Sequence, residues 1–195
     1  MNYKILALSI FTMMYLSSCQ KDSVAPSVNQ TLTVTPKTVT STPALAPDTI
    51  SNVTGYLRLQ LGMDSINTDN ILINFKPGAS TTYSPLYDAP TFQGFGLVSL
   101  SSLSSNNIPL AINTLPLTHK GLTIGLKIGA KTDGIYSLYM VTIQTIPASY
   151  HIWLMDKYKN DSLDYRQNKN YAFNIYKADT SSYGASRFKL VIRKQ

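Results

Sequence analysis

Apolar residues at every second position in short runs predict an all-β fold, an antiparallel β-sandwich of jelly-roll type with about eight to ten strands. Three observations carry that expectation. The alternation recurs in one run after another, turns rich in Asn, Asp, Gly and Pro separate the runs, and no segment shows a helical period. Composition agrees, because all ten acidic residues are Asp, Glu is absent, and Thr, Ser, Tyr, Ile and Leu are abundant. Those residue types suit strands better than long helices. At 44% hydrophobic and 10% aromatic, the chain can bury a substantial core. A closed barrel is the alternative arrangement of the same strands.

Residues 1–18 read as a lipoprotein signal peptide. Lys4 supplies a positive n-region, Ile5 to Leu8 with Ile10, Phe11, Met13 and Met14 an apolar h-region, and Leu16-Ser17-Ser18-Cys19 the small residues before a cut. Cys19 is the only cysteine in the chain. A bacterial lipobox requires that thiol because the sulfur is alkylated by a diacylglyceryl group. Each buried methylene contributes about 0.8 kcal/mol, so two or three acyl chains make a lasting membrane anchor. The apolar run is broken by Ser9 and Thr12 and falls short of the roughly 20 residues that span a bilayer. With Cys19 lipidated, the mature chain has no thiol for a disulfide or a metal site. Residues 19–49 then form the lipidated cysteine and a Ser/Thr/Pro-rich tether. It lacks aromatic residues and apolar periodicity, so it is expected to be disordered, with a reach of roughly 30 Å.

Residues 50–195 carry the strand patterns of the β-sandwich domain. Leu57, Leu59 and Leu61 alternate with Tyr56, Arg58 and Gln60, and Ile71, Ile73 and Phe75 with Leu72 and Asn74. Ile108, Leu110 and Ile112 continue the pattern, and Leu122, Ile124, Leu126 and Ile128 line one face against Thr123, Gly125 and Lys127. Asp133-Gly134 between alternating runs is a hairpin signal, which predicts that residues 121–129 pair with residues 135–143. With Leu138 and Met140 on one side and Tyr139, Val141 and Ile143 on the other, the second of these strands is expected to be covered on both faces. Further strands are predicted at residues 150–155, near 162–166, at 171–176 and at 187–194. In the last, Phe188, Leu190 and Ile192 face one way. Residues 77–96 form the least regular stretch, a loop of a length that is often functional.

The candidate ligand-binding residues are aromatic. Tyr83, Tyr87, Phe92 and Phe95 lie in that loop among Pro, Gly and Ser, and Trp153 alternates with core positions on a strand, as Tyr176 does. Sugars stack on such rings, while sandwiches also use them as core lids. No catalytic residues are predicted. His119 and His151, the two histidines, fall on different elements with no acid at ligand spacing. There is no nucleophile elbow, Gly-rich phosphate loop or carboxylate pair. Asp156, Asn160, Asp161 and Asp164 crowd one turn, but their spacing fits no defined calcium loop, and turn chemistry explains them. No metal site and no cofactor is therefore expected.

Ile146-Pro147, Ile152-Trp153-Leu154-Met155-Asp156, Asp164, Tyr171-Ala172-Phe173 and Arg187-Phe188-Lys189-Leu190-Val191 together resemble a known family. It is the β-sandwich module that precedes the type IX secretion sorting domain in many surface proteins of Bacteroidetes. Leu110 to Pro116 and the stretch from Asp64 to Gly78 resemble its earlier half. The resemblance implies a scaffold in which Pro147 starts a strand, Asp156 opens a hairpin and Tyr171, Phe173, Phe188 and Leu190 fill the core. It implies no catalytic residue. No sorting domain follows Arg193-Lys194-Gln195, so lipid is expected to replace it as the means of attachment. Gln20-Lys21-Asp22 resemble the signals that carry Bacteroidetes lipoproteins to the cell surface. The expected protein is thus anchored by lipid in the outer membrane, on the cell surface or, alternatively, facing the periplasm. It is expected to be non-catalytic and to bind a glycan or protein ligand; the alternative is a structural or assembly subunit of an envelope complex. Removing Lys4 with the signal lowers the net charge from +7 to +6. The lysines are scattered and no basic run exists, so no nucleic-acid partner is expected.

Overall fold

The computed structural model describes residues 52–195 apart from Gln93 and Phe95. The expected signal, Cys19 and tether lie outside the described residues, as does Phe95. Eleven strands account for the fold: β1 (Gly55–Gly62), β2 (Thr68–Phe75), β3 (Ala89–Pro90), β4 (Val98–Leu103), β5 (Pro109–Leu115), β6 (Leu122–Ala130), β7 (Gly134–Gln144), β8 (Tyr150–Asp156), β9 (Asp161–Asp164), β10 (Asn170–Ile175) and β11 (Gly184–Lys194). Among the described residues the helical element is one 3₁₀ turn, Thr180–Ser182. The described residues are all-β, as their alternation predicts.

The strands join in one sheet in the order β10-β7-β1-β2-β5-β4-β6-β11-β8-β9, with β3 added to β5. This sheet curls nearly closed into a sandwich-like body around a single apolar core. The period-two positions fill it: Leu57, Leu59 and Leu61 from β1, Ile71, Ile73 and Phe75 from β2, Ile124, Leu126 and Ile128 from β6, and Phe188, Leu190 and Ile192 from β11. Full burial of each such side chain contributes about 1.5–3 kcal/mol. Tyr171 and Phe173 join them, the Phe173 and Phe188 rings meeting edge-on at 4.8 Å.

Four departures from the sequence expectation are instructive. First, β6 and β7 do not pair. Both edges of β6 are taken by β4 and β11, and β7 lies between β1 and β10. Asp133-Gly134 is therefore a crossover, fixed by the Asp133 carboxylate accepting from the Lys177 backbone N–H at 2.6 Å. Second, β7 is covered on one face only, since Ile135 is 68% and Tyr139 40% exposed. A β-bulge opposite Arg58 and Leu59 skips Val141 and restores parity, so Ile143 lies opposite Leu57 and packs on the core. Third, β4 emerges from a Ser-rich stretch without a strong apolar signal; Ser101 and Ser102 are buried in it. Fourth, the sheet is not wholly antiparallel, because β2 runs parallel to β5 from Leu72↔Ile112 to Phe75↔Leu115.

The sheet turns over at two seams. At one, β5 wedges between β2 and β4 and touches β4 through only Ser102↔Leu110 and Leu103↔Pro109. Beyond the wedge, Asp69 on β2 accepts directly from the Leu100 N–H of β4 at 2.8 Å. At the other, the sheet ends β9 and β10 face each other without a ladder between them. Side chains bridge that gap: the Tyr171 hydroxyl of β10 donates to Asp156 at 3.1 Å and to Asp161 at 3.2 Å.

Candidate functional site

Residues 81–92, within the irregular stretch, form a strap bound down across β5. Asp88 is the anchor: it is buried, one carboxylate oxygen accepts from the Ser84 N–H at 2.7 Å, and the other accepts from the Thr114 N–H of β5 at 2.7 Å. Thr114 returns a hydrogen bond from its hydroxyl to the Tyr87 carbonyl, at 3.0 Å. Farther along, the Tyr83 N–H donates to Asn106 at 3.2 Å and the Thr91 N–H donates to the Pro109 carbonyl at 3.0 Å. Pinned this way, the strap turns its apolar side chains outward. Phe92 is 90%, Leu86 76% and Tyr87 41% exposed, and Tyr83 is half-buried. The Lys76 ammonium sits 3.8 Å from the Tyr87 ring centroid and covers one face of it.

Trp153 does not join this group. It stands on β8, which β4, β6 and β11 separate from β5, and its ring stacks beside His151 with centroids 6.4 Å apart. The candidate aromatic residues therefore belong to two surfaces. Around Trp153 the outward positions of the second half of the sheet are cationic, with Lys127, Lys189 and Arg193 exposed. Beside them, a hollow of about 380 Å³ opens where Gly125 has no side chain to fill it, flanked by Leu103 and Lys189.

His151 has an acidic neighbour that its place in the sequence conceals. Its Nδ1 lies 3.0 Å from the Asp164 carboxylate, because the β8–β9 hairpin sets Trp153 opposite Asp164 and brings the acid alongside. Hydrogen bonds to Asp164 and to the Gln195 side chain raise the imidazole pKa above its ordinary value. Among the described residues no hydroxyl or thiol is hydrogen-bonded to this imidazole, so the pair does not extend to a nucleophile. His119 is exposed in the turn before β6.

The densest polar cluster was not predicted. Arg187 and Asp156 are both fully buried and form a two-pronged ion pair, Nε to Oδ1 at 3.0 Å and Nη2 to Oδ2 at 2.8 Å. Arg187 Nη1 also donates to the Asn174 carbonyl at 2.7 Å and to the Ser182 carbonyl, while the guanidinium carbon lies 4.7 Å from the Phe173 and Phe188 ring centroids. Asp156 further accepts from the Tyr158 and Lys159 backbone N–H groups and from Tyr171. Burial pushes its carboxyl pKa up, but the hydrogen bonds and charge of Arg187, helped by those other donors, outweigh this and hold it below the usual value. Desolvation, reinforced by Asp156, moves the Tyr171 hydroxyl the opposite way, well above its ordinary range. Sequence parity hides Arg187, because it precedes inward-facing Phe188. A register shift between Gly184 and Phe188 turns it into the core. The cluster is structural: every carboxylate in the crowded turn already has donors, Asp161 from Ser162 N–H and Asp164 from Arg166 N–H. Among the described residues no group of three or more His, Cys, Asp or Glu side chains is placed to hold a metal ion.

The chain matches no family model, and no curated protein or solved structure is detectably similar to it. The described residues present aromatic, apolar and polar side chains on several outward surfaces.

Proposed function

We propose that this chain is a lipid-anchored protein of the bacterial outer membrane that displays its β-sandwich domain on the cell surface as a non-catalytic binding module for a glycan or protein ligand. The observation that carries the reading is the lipobox, Leu16-Ser17-Ser18-Cys19, behind Lys4 and an apolar run and ending on the only cysteine. The outward aromatic and apolar side chains of the strap support the binding part, since Phe92 and Tyr87 stand clear of a backbone pinned by Asp88. The resemblance to the sandwich module of Bacteroidetes surface proteins supports the non-catalytic part.

Cell fractionation with metabolic palmitate labelling tests the anchor. Wild-type chain should label and sediment with outer membranes, whereas Cys19→Ser should neither label nor stay bound. An unlabelled wild type, or a membrane-retained Cys19→Ser chain of unchanged gel mobility, defeats the reading. A second reading, a structural subunit of an envelope complex, is favoured by the exposure of Leu86 and Phe92 on one strap, apolar surface that a protein partner would cover. Crosslinking in intact cells separates the two. A stoichiometric protein partner lost in Phe92→Ala supports the subunit, and a soluble ligand without such a partner supports the module.

A further inference from the structure

On the outward face of the first half of the sheet, two adjacent rows carry no charged side chain, and the cation Arg58 stands exposed one row farther along β1. Asn170, Tyr139, Gln60 and Asn70 lie side by side in register across β10, β7, β1 and β2. All four point outward, since their strand neighbours Tyr171, Leu138, Met140, Leu59, Leu61 and Ile71 are buried. With strands about 4.8 Å apart, this row runs roughly 14 Å. The adjacent row is Ala172, Ser137, Gly62 and Thr68, all small. Gly62 has no side chain, and three members of this row, Ser137, Gly62 and Thr68, line a cleft of about 330 Å³ together with Tyr139, Gln60 and the β1–β2 turn at Met63 to Ser65.

No side chain in either row carries a charge. The side-chain amides of Asn170, Gln60 and Asn70 and the Tyr139 hydroxyl make no hydrogen bond to other described residues, and Tyr139 is 40% exposed. The carboxylate of Asp64 at the cleft mouth is already occupied by the Ile66 and Asn67 N–H groups at 2.8 and 2.7 Å and by the Asn67 amide at 2.7 Å. An aromatic ring flanked by free amides beside a row of small residues pairs an apolar platform with groups that both donate and accept. An anion would find no cation in these rows, and an apolar ligand would leave three amides unpaired. A ligand with an apolar C–H face and hydroxyls around its edge satisfies both parts of the surface.

We infer that the row Asn170–Tyr139–Gln60–Asn70 and the cleft beside it form a binding site for an uncharged oligosaccharide, the sugar ring stacking on Tyr139 and its hydroxyls pairing with the flanking amides. This rests on the binding-module reading and names its ligand class and its place, away from the strap and from Trp153. The test is an array of neutral, sulfated and uronic-acid oligosaccharides probed with the full chain and four variants, each checked by thermal unfolding. Neutral glycans should be retained by the wild type. Tyr139→Ala and Gln60→Ala should weaken that binding about ten-fold or more, while Lys189→Ala leaves it unchanged and Tyr87→Ala reports whether the strap takes the glycan instead. Should Tyr139→Ala lose folding, Tyr139→Phe, which keeps the ring and removes only the hydroxyl, is to bind neutral glycans far better than Gln60→Ala. The inference is overturned by retention of acidic glycans only, by neutral binding that survives both site variants, or by neutral binding lost in Tyr87→Ala instead. This last result, or capture of a protein with no glycan bound, would leave the binding module standing while removing this site.

Discussion

The sheet is closed at two seams, and it is closed differently at each. At the β9/β10 seam, β10 is tied through its Tyr171 hydroxyl and its Asn174 carbonyl to a buried ion pair, Asp156 of β8 with Arg187 of β11, which lies against two aromatic rings. At the β2/β4 seam and its strap, Asp69 and Asp88 bind backbone N–H groups, with no cation among their described partners. The difference teaches what a carboxylate needs in each setting. Asp156, fully buried, is met by a counter-ion, whereas Asp88, buried but less completely, and half-buried Asp69 are held by oriented amides. The described aspartates nevertheless share one habit, a short reach to the backbone. Each of the eight described aspartates accepts from at least one backbone N–H, Asp64, Asp133, Asp161, Asp164 and Asp179 included. A side chain one methylene longer would overreach many of these short spans.

The seams should fail by different amounts. Asp156→Ala leaves Arg187 buried and unpaired, and should lower the unfolding free energy by about 3–5 kcal/mol in urea titration. Replacing both residues, Asp156→Leu with Arg187→Met, should recover part of that loss but not all, because the Asn174 and Ser182 carbonyls lose their donor. The acid limb belongs to the same pair. A carboxyl held below 3.8 contributes stability that is complete above that value and lost as pH falls through its native pKa. Wild-type stability should therefore decline below about pH 3.8, and Asp156→Asn should lack that component. An Asp156→Ala chain as stable as wild type would show that the seam holds without its ion pair.

Asp88→Ala should cost less, about 1–3 kcal/mol, since it leaves neutral N–H donors unpaired instead of a buried charge. Hydrogen exchange at Ser84 and Thr114 should accelerate while the Leu126 and Leu190 amides stay protected. Equal losses at Asp88 and Asp156 would erase the distinction between the seams. Tyr87→Ala, on the outside of the strap, should cost under about 1 kcal/mol, of which the Lys76 contact is part. The smallest effect is electrostatic. The His151 imidazolium and the Asp164 carboxylate stabilise the fold below the unfolded histidine value of 6.5, and that contribution is lost as pH rises through the raised native pKa. In an NMR titration, Asp164→Asn should move the His151 midpoint down toward 6.5, and an unmoved midpoint would mean that Asp164 does not set it.

Much of this fold is legible in the sequence, because alternation depends only on neighbouring residues. Leu57, Leu59 and Leu61 announce their burial, and so do Ile124, Leu126 and Ile128. What alternation cannot give is partnership. The Asp133-Gly134 pair carries a hairpin signal, yet β6 finds its neighbours in β4 and β11, and the chain crosses over. Nor can it give parity across a register shift, which turns Arg187 and Ile143 toward the core against the alternation of their strands. The candidate surfaces fared similarly. The exposure of Tyr87 and Phe92 follows from a loop rich in Pro and Gly, but the grouping with Trp153 fails because strand order separates them. The row of Asn170, Tyr139, Gln60 and Asn70 draws on four strands scattered over the sequence, so only the sheet register brings it into being.

The facing ends of the sheet also bear on how this protein behaves in company. An open strand edge is a template on which another chain's strand can add, and repeated addition gives polymers. Here one terminal strand, β9, is only four residues long and carries two aspartates, and on the other, β10, the Asn174 carbonyl is already taken by Arg187. Neither end offers a long, unoccupied row of backbone groups. A second copy adding edge to edge would therefore meet two aspartates at one end and an occupied carbonyl at the other.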